Sequence, residues 1–160
     1  MRITTRMGSA YLATKAHILL VEDNAADAWL FQDLLAKTGV EHNLTVIDDG
    51  EDASAFLDRA AQGDKQLLPD LILLDLNLPR KSGMEILKEI KQTAPLQSIP
   101  VLVLTSSGSD RDVNSAYASG ANAYFRKPVG LTKVEELIDL IAKCWLQFAC
   151  LPPRNGVPAR

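Results

Sequence analysis

The sequence predicts an α/β fold carried by a parallel sheet of five strands and flanked by five helices. Three observations lead there. Short apolar runs alternate with helical stretches of about 10 to 15 residues, the spacing of βα units. The run Leu71-Ile72-Leu73-Leu74 is apolar at every position rather than at alternate ones, as a strand buried on both faces must be. A length of 160 residues supports one domain with a real core and would cramp two.

The elements follow in order. The first strand is Ile18–Val21, and a helix should start near Asn24. That helix pairs Leu30 with Leu34 and Phe31 with Leu35 at i,i+4 and stops at Gly39. The second strand, Leu44–Ile47, runs into Asp48-Asp49-Gly50, and the second helix covers about Glu51 to Ala61. After the loop from Gln62 to Pro69 comes Leu71–Leu74. Val101–Leu104 and Ala123–Phe125 complete the strands. Three pairs at capping-box spacing, Ser82 with Glu85, Ser109 with Asp112 and Thr132 with Glu135, predict helix starts. The last helix places Val134, Leu137, Ile138, Ile141, Trp145 and Phe148 on one stripe, and Leu151-Pro152-Pro153 ends it. The division expected is a flexible leader over 1–15, with Met7 a second candidate start, the domain over 16–150, and a flexible tail over 151–160.

Bulk composition narrows the function. Hydrophobic content of 47% and charged content of 23% are ordinary for a globular chain. A net charge of −3 offers no electrostatic attraction to nucleic acid. Cys144 and Cys150 lack a metal-ligand pattern and read as thiols of a reducing, cytoplasmic compartment. No apolar run approaches the roughly 20 residues that span a bilayer, so no membrane contact is expected.

In open α/β sheets, ligands bind beyond the carboxyl ends of the strands. The first strand ends in Glu22-Asp23, the third in Asp75, the fourth in Thr105-Ser106, and the fifth in Arg126-Lys127-Pro128. Three acids, a hydroxyl and a lysine therefore converge on one rim. A carboxylate at the end of a buried strand is costly unless something pairs with it. Crowded carboxylates call for a hard divalent cation, Mg²⁺ or Mn²⁺, whose shell phosphate oxygens often complete. Lysine and threonine would bind the remaining phosphate oxygens, which places Asp75 as the nucleophile of a phosphoryl transfer. Taken singly, Glu22 and Asp23 also suit the first turn of a helix, and Thr105 suits a strand end. Asp48 and Asp49 read as turn residues beside an edge strand. Only a joint function accounts for one such group at each strand end.

These residues resemble the response-regulator receiver domain, the CheY-like phosphoacceptor module of two-component signalling. The resemblance runs from about His17 to Leu146. It rests on Leu20-Val21-Glu22-Asp23-Asn24, Asp75-Leu76-Asn77-Leu78-Pro79, Gly83, Thr105 and Lys127-Pro128. It implies a flavodoxin-like, doubly wound sheet of order 2-1-3-4-5. By position, Glu22 and Asp23 look like the acidic metal pair and Asp75 like the phosphoacceptor, while the Asn77 backbone carbonyl would complete the metal shell. Thr105 and Lys127 resemble the phosphate-sensing hydroxyl and the phosphate-binding lysine. Ser106 matches the small residue beside the phosphate, Ser107 the position that tunes dephosphorylation, and Tyr124 the switch aromatic. Pro128 would follow a cis bond. Glutamate at position 22 is a common variant whose longer arm would reach the metal through water. The loop Gln62 to Pro69 is longer than in the shortest receivers and lies away from the rim.

Ala26-Asp27-Ala28, Ser98-Ile99-Pro100, Ala121-Asn122-Ala123-Tyr124, Trp145-Leu146 and Leu151-Pro152 resemble the single-domain regulators of bacterial phytochrome kinases. The resemblance implies a sensor histidine kinase as donor and a downstream protein or phosphotransfer partner, since no output domain follows the last helix. It also implies a homodimer, for which Trp145 and Phe148 supply surplus apolar surface; packing of that surface against the domain's own sheet is the alternative. The chain would be no enzyme beyond its own metal-dependent phosphoryl transfer and autodephosphorylation. An aspartyl-phosphate phosphatase would carry an aspartate where Asn77 stands, and no Gly-x-Gly-x-x-Gly follows the first strand. A constitutive interaction module would have lost part of the site, and nothing is missing.

Overall fold

The computed structural model describes residues 15–153. Of the leader expected over 1–15 and the tail expected over 151–160, residues 1–14 and 154–160 lie outside the described residues. The elements alternate as β1 (Ala16–Val21), α1 (Ala25–Lys37), β2 (His42–Ile47), α2 (Gly50–Ala61), β3 (Leu71–Leu74), α3 (Gly83–Gln92), β4 (Val101–Thr105), α4 (Asp110–Ala118), β5 (Ala123–Arg126) and α5 (Leu131–Ile141). A π-helical segment, Ala142–Phe148, continues α5. All strands are parallel, in the order β2-β1-β3-β4-β5. This is the flavodoxin-like arrangement the sequence predicts.

Alternation along the strands divides the core into two layers. Leu19, Val21, Ile72, Leu74, Val101 and Val103 face Leu57, Ile86 and Ala116 from α2, α3 and α4. Ile18, Leu20, Leu71, Leu73, Leu102 and Leu104 face Phe31, Leu35, Ile138 and Ile141 from α1 and α5. With both faces covered, β3 and β4 are buried throughout, which is why their sequences do not alternate. Strand order reverses between β1 and β3, so the crevice of a doubly wound sheet opens at their carboxyl ends.

Local chemistry sets most element ends. Asn24 caps α1 by accepting from the N–H groups of Ala26 and Asp27. Beyond Lys37 the chain turns at Gly39, whose φ of 73° suits glycine. Ser82 and Glu85 form the expected reciprocal box. Ser109 caps α4 through the Asp112 N–H, but the Asp112 carboxylate accepts from Ser107 instead of closing the box. The Thr132–Glu135 box does not form. Gly130, at φ 95°, starts α5 without a side-chain cap, and Thr132 falls inside the helix.

The apolar stripe of the last helix also departs from expectation. In the π-helical segment the Ala149 N–H reaches the Cys144 carbonyl at 2.8 Å, an i→i+5 bond. Phase slips by a residue, so Leu146 enters the core beside Ile141 and Ala142. Trp145 packs against that layer only partly buried, and Phe148 is 82% exposed.

Candidate functional site

The sheet delivers the rim residues to one place. The Glu22 N–H donates to the Ile47 carbonyl at 3.0 Å and the Asp75 N–H to the Val21 carbonyl at 3.0 Å, so the first and third strand ends lie side by side. The Lys127 N–H donates to the Thr105 carbonyl at 2.8 Å, carrying the β5 ladder one residue past the strand. Behind Asp75, α3 begins at Gly83, where a Cβ would stand 2.0 Å from the Asp75 carbonyl oxygen. Glycine is required there because the helix start touches the backbone that carries the acid.

Glu22 and Asp75 are buried, at 3% and 4% exposure, while Asp23 is open to solvent. One carboxylate oxygen from each of the three lies within 4.8 Å of the others. Asp75 Oδ1 accepts from the Asn77 N–H at 2.9 Å, and Asp75 Oδ2 accepts from Lys127 Nζ at 2.8 Å. The ammonium also meets Glu22 Oε2 at 2.6 Å. Burial raises the Glu22 carboxyl above its ordinary value, against the pull of Lys127 and the Asn24 N–H, and the charge of Asp75 adds to the rise. Burial alone would lower the Lys127 ammonium, but hydrogen bonds to Asp75, Glu22 and Asp27 hold it well above the usual lysine value. One ammonium therefore leaves Glu22 under-compensated. Three oxygens, no thiol or imidazole among them, and one open carboxylate fit a hard divalent cation that keeps water.

Thr105 is fully buried. Its hydroxyl lies 3.4 Å from both the Asn77 Nδ2 and the Ser107 N–H. Ser106 is exposed and, with Glu22 and Lys127, lines a largely apolar cavity of about 290 Å³ between α1 and α5. Tyr124 is half-buried and donates from its hydroxyl to the Ser107 carbonyl at 3.0 Å. Arg126 Nη2 donates to the Gly108 carbonyl at 2.7 Å, so two β5 side chains hold the β4–α4 loop. Glu22, Asp23, Asp75, Asn77, Thr105, Ser106, Tyr124 and Lys127 thus gather at one rim.

Pro128 is a correction. No peptide bond among the described residues is cis, so the Lys127–Pro128 bond is trans. Trans is the lower-energy isomer before proline. The strand-like tie of the Lys127 N–H already aims the ammonium into the site.

Reasoning from the sequence missed two residues. Asp27 places Oδ2 at 3.0 Å from Lys127 Nζ. Its signal was its position three residues after the cap Asn24, in the first turn facing the same rim. Asp49, read as a turn residue, is buried and caps α2 through the N–H groups of Glu51 and Asp52. It also accepts from Arg80 Nε at 2.5 Å, and that hydrogen bond holds its carboxyl below the ordinary range. A capping aspartate before Gly50 and two acids was the available sign.

A family model described as the response regulator receiver domain matches residues 18–139. The chain belongs to the response regulator receiver domain family. Response regulator Rcp1 of Synechocystis sp. is 42% identical over 135 residues, covering 84% of this chain and 92% of that protein. The probable methanogenesis regulatory protein FilR2 of Methanothrix harundinacea is 39% identical over 129 residues, covering 81% of this chain and 83% of that protein. Among solved structures, the phosphorylated cyanobacterial phytochrome response regulator RcpA superposes with a TM-score of 0.81 at 40% identity, over 88% of this chain and all 100% of that one. The Mn²⁺-bound form of Rcp1 superposes at 0.80 with 41% identity, over 86% of this chain and 99% of that one. This receiver is thus a response regulator similar to Rcp1 and to the phytochrome response regulator RcpA. No helix among its described residues is long and apolar enough to cross a membrane.

Proposed function

We propose that this response regulator accepts a phosphoryl group on Asp75 from a phosphohistidine of a sensor histidine kinase. The observation that supports it most is the placement of Asp75. It is buried to 4%, has one oxygen fixed by the Asn77 N–H, and has the other within 2.8 Å of Lys127. A carboxylate oxygen of Asp75 forms a bond to phosphorus as the P–N bond breaks, and that electron pair leaves with the imidazole nitrogen. Lys127 meets the charge on the phosphoryl oxygens. Mg²⁺ (or Mn²⁺), held by Glu22, Asp23, Asp75 and the Asn77 backbone carbonyl, would supply the rest of that neutralisation. Ser106 leaves room beside the phosphoryl group, and Ser107 influences how quickly water removes it.

The Thr105 hydroxyl, held among the described residues by 3.4 Å contacts, is free to move toward the phosphoryl group. That motion draws on the β4–α4 loop, which Tyr124 grips through Ser107. Phosphorylation then biases two arrangements of the face made by α4, β5 and α5. In this reading the receiver works in the cytoplasm with a phytochrome-type kinase, a choice supported by its likeness to the phytochrome response regulator RcpA. It signals to a downstream protein or phosphotransfer partner. It also pairs with a second copy through Trp145, which is only partly buried, and Phe148, an exposed large apolar side chain.

Incubation with acetyl phosphate and Mg²⁺, or with the phosphorylated kinase, should label wild type and leave Asp75→Asn unlabelled. Equal label on the variant would overturn the assignment of Asp75.

A further inference from the structure

Lys127 is held by three carboxylates at once, Glu22 at 2.6 Å, Asp75 at 2.8 Å and Asp27 at 3.0 Å. Glu22 and Asp75 also belong to the acidic trio that fits a cation, whereas Asp27 does not. The three partners differ in exposure. The side chains of Glu22 and Asp75 are 3% and 5% exposed, that of Asp27 45%. A divalent ion claiming Glu22 and Asp75 competes with the ammonium for the same oxygens and repels it. Without another acceptor, Lys127 would swing into water or resist the ion.

We propose that Asp27 is a positioning residue that retains Lys127 at the rim when a divalent cation takes Glu22. The ammonium is then shared between Asp27 and Asp75, beside the oxygen that is to carry phosphorus. The inference rests on the reading of Glu22, Asp23 and Asp75 as cation ligands. A helix-dipole role for Asp27, as an acid in the first turn of α1, predicts an effect on stability and none on cation affinity. A retaining role predicts a loss of affinity on neutralisation, because Lys127 would fall back wholly on Glu22 and Asp75.

Isothermal titration of MgCl₂ into the full chain tests this. The variants are Asp27→Asn, Asp27→Ser, Asp27→Glu and Asp33→Asn, each checked for folding by circular dichroism. Asp33 lies on the same helix and pairs with Lys37, so its variant removes an equal charge away from the site. Both neutral variants at position 27 should bind Mg²⁺ about fivefold more weakly than wild type, as expected for one half-exposed ion pair. Asp27→Glu should stay within about twofold, and Asp33→Asn should match wild type. If Asp27→Asn or Asp27→Ser binds as Asp33→Asn does, or if the glutamate fails to rescue, Asp27 has no such role. Wild type that takes up no Mg²⁺ would overturn the cation-ligand reading itself, a result distinct from any difference among the position-27 variants.

Discussion

Arg80 Nε lies 2.5 Å from the buried Asp49 Oδ2, which ties the loop after β3 to the cap of α2. Arg80 adopts φ 62°, a left-handed conformation unusual for a residue with a side chain, and its guanidinium also reaches Glu51 and Asp52 at 3.0 Å. The Gly50 N–H donates to the Pro79 carbonyl, and a Cβ on Gly50 would stand 1.9 Å from the Lys81 carbonyl oxygen. The two loops are therefore pressed together beside Asn77.

Because Asp49 titrates below its ordinary 3.8, the pair stabilises the fold above that pH and loses its effect as pH falls through the lowered value. Arg80→Ala should therefore be less stable than wild type at neutral pH, and the gap should close below pH 3.8. Urea unfolding followed by circular dichroism across pH 7 to 2.5 (a range of about 4.5 units around that value) measures this. A gap that persists unchanged at the acid end would assign the loss to loop packing.

Leu146 and Phe148 should respond oppositely to truncation. Leu146→Ala opens a cavity in the α1–α5 layer and should cost about 2 to 4 kcal/mol in urea unfolding. Phe148→Ser should change stability by no more than about 0.5 kcal/mol. The same variant should lower the self-association seen by light scattering, and a wild type that stays monomeric at tens of micromolar (about the range of moderate affinities) would remove the dimer.

Lys127→Met keeps the alkyl stem but leaves Glu22 and Asp75 buried without their cation. The protein free of divalent ions should lose about 3 kcal/mol. Added Mg²⁺ should raise the unfolding midpoint of this variant more than that of wild type, since the ion no longer displaces an ammonium. Equal Mg²⁺ responses would show that Lys127 and the ion do not share oxygens.

What the sequence made legible follows from how local each signal was. The strands stood out because runs such as Leu71–Leu74 are apolar without alternation, and Asp75, Thr105 and Lys127 were found because each sits at a strand end. Asp27 was not, since its partner lies 100 residues away and the contact exists only once α1 packs beside α5. Arg80 and Asp49 meet across two loops for the same reason. Thr132 and Glu135 have the spacing of a box, but the backbone turn at Gly130 starts the helix earlier. Phe148 was placed on one stripe with Ile138 and Ile141 by assuming a period of 3.6, which the π-helical segment breaks.

That segment has a consequence for how the chain end can vary. A π-bulge amounts to one residue inserted into an α-helical run. Removing one residue from 142–148 would let the helix close in α geometry, and each α-helical residue turns the chain by about 100°. Leu151-Pro152-Pro153 would swing around the axis, and a different side chain would take the outward place of Phe148. A single-residue change in length, without altering the rim, would thus re-aim the surface this domain offers to another molecule.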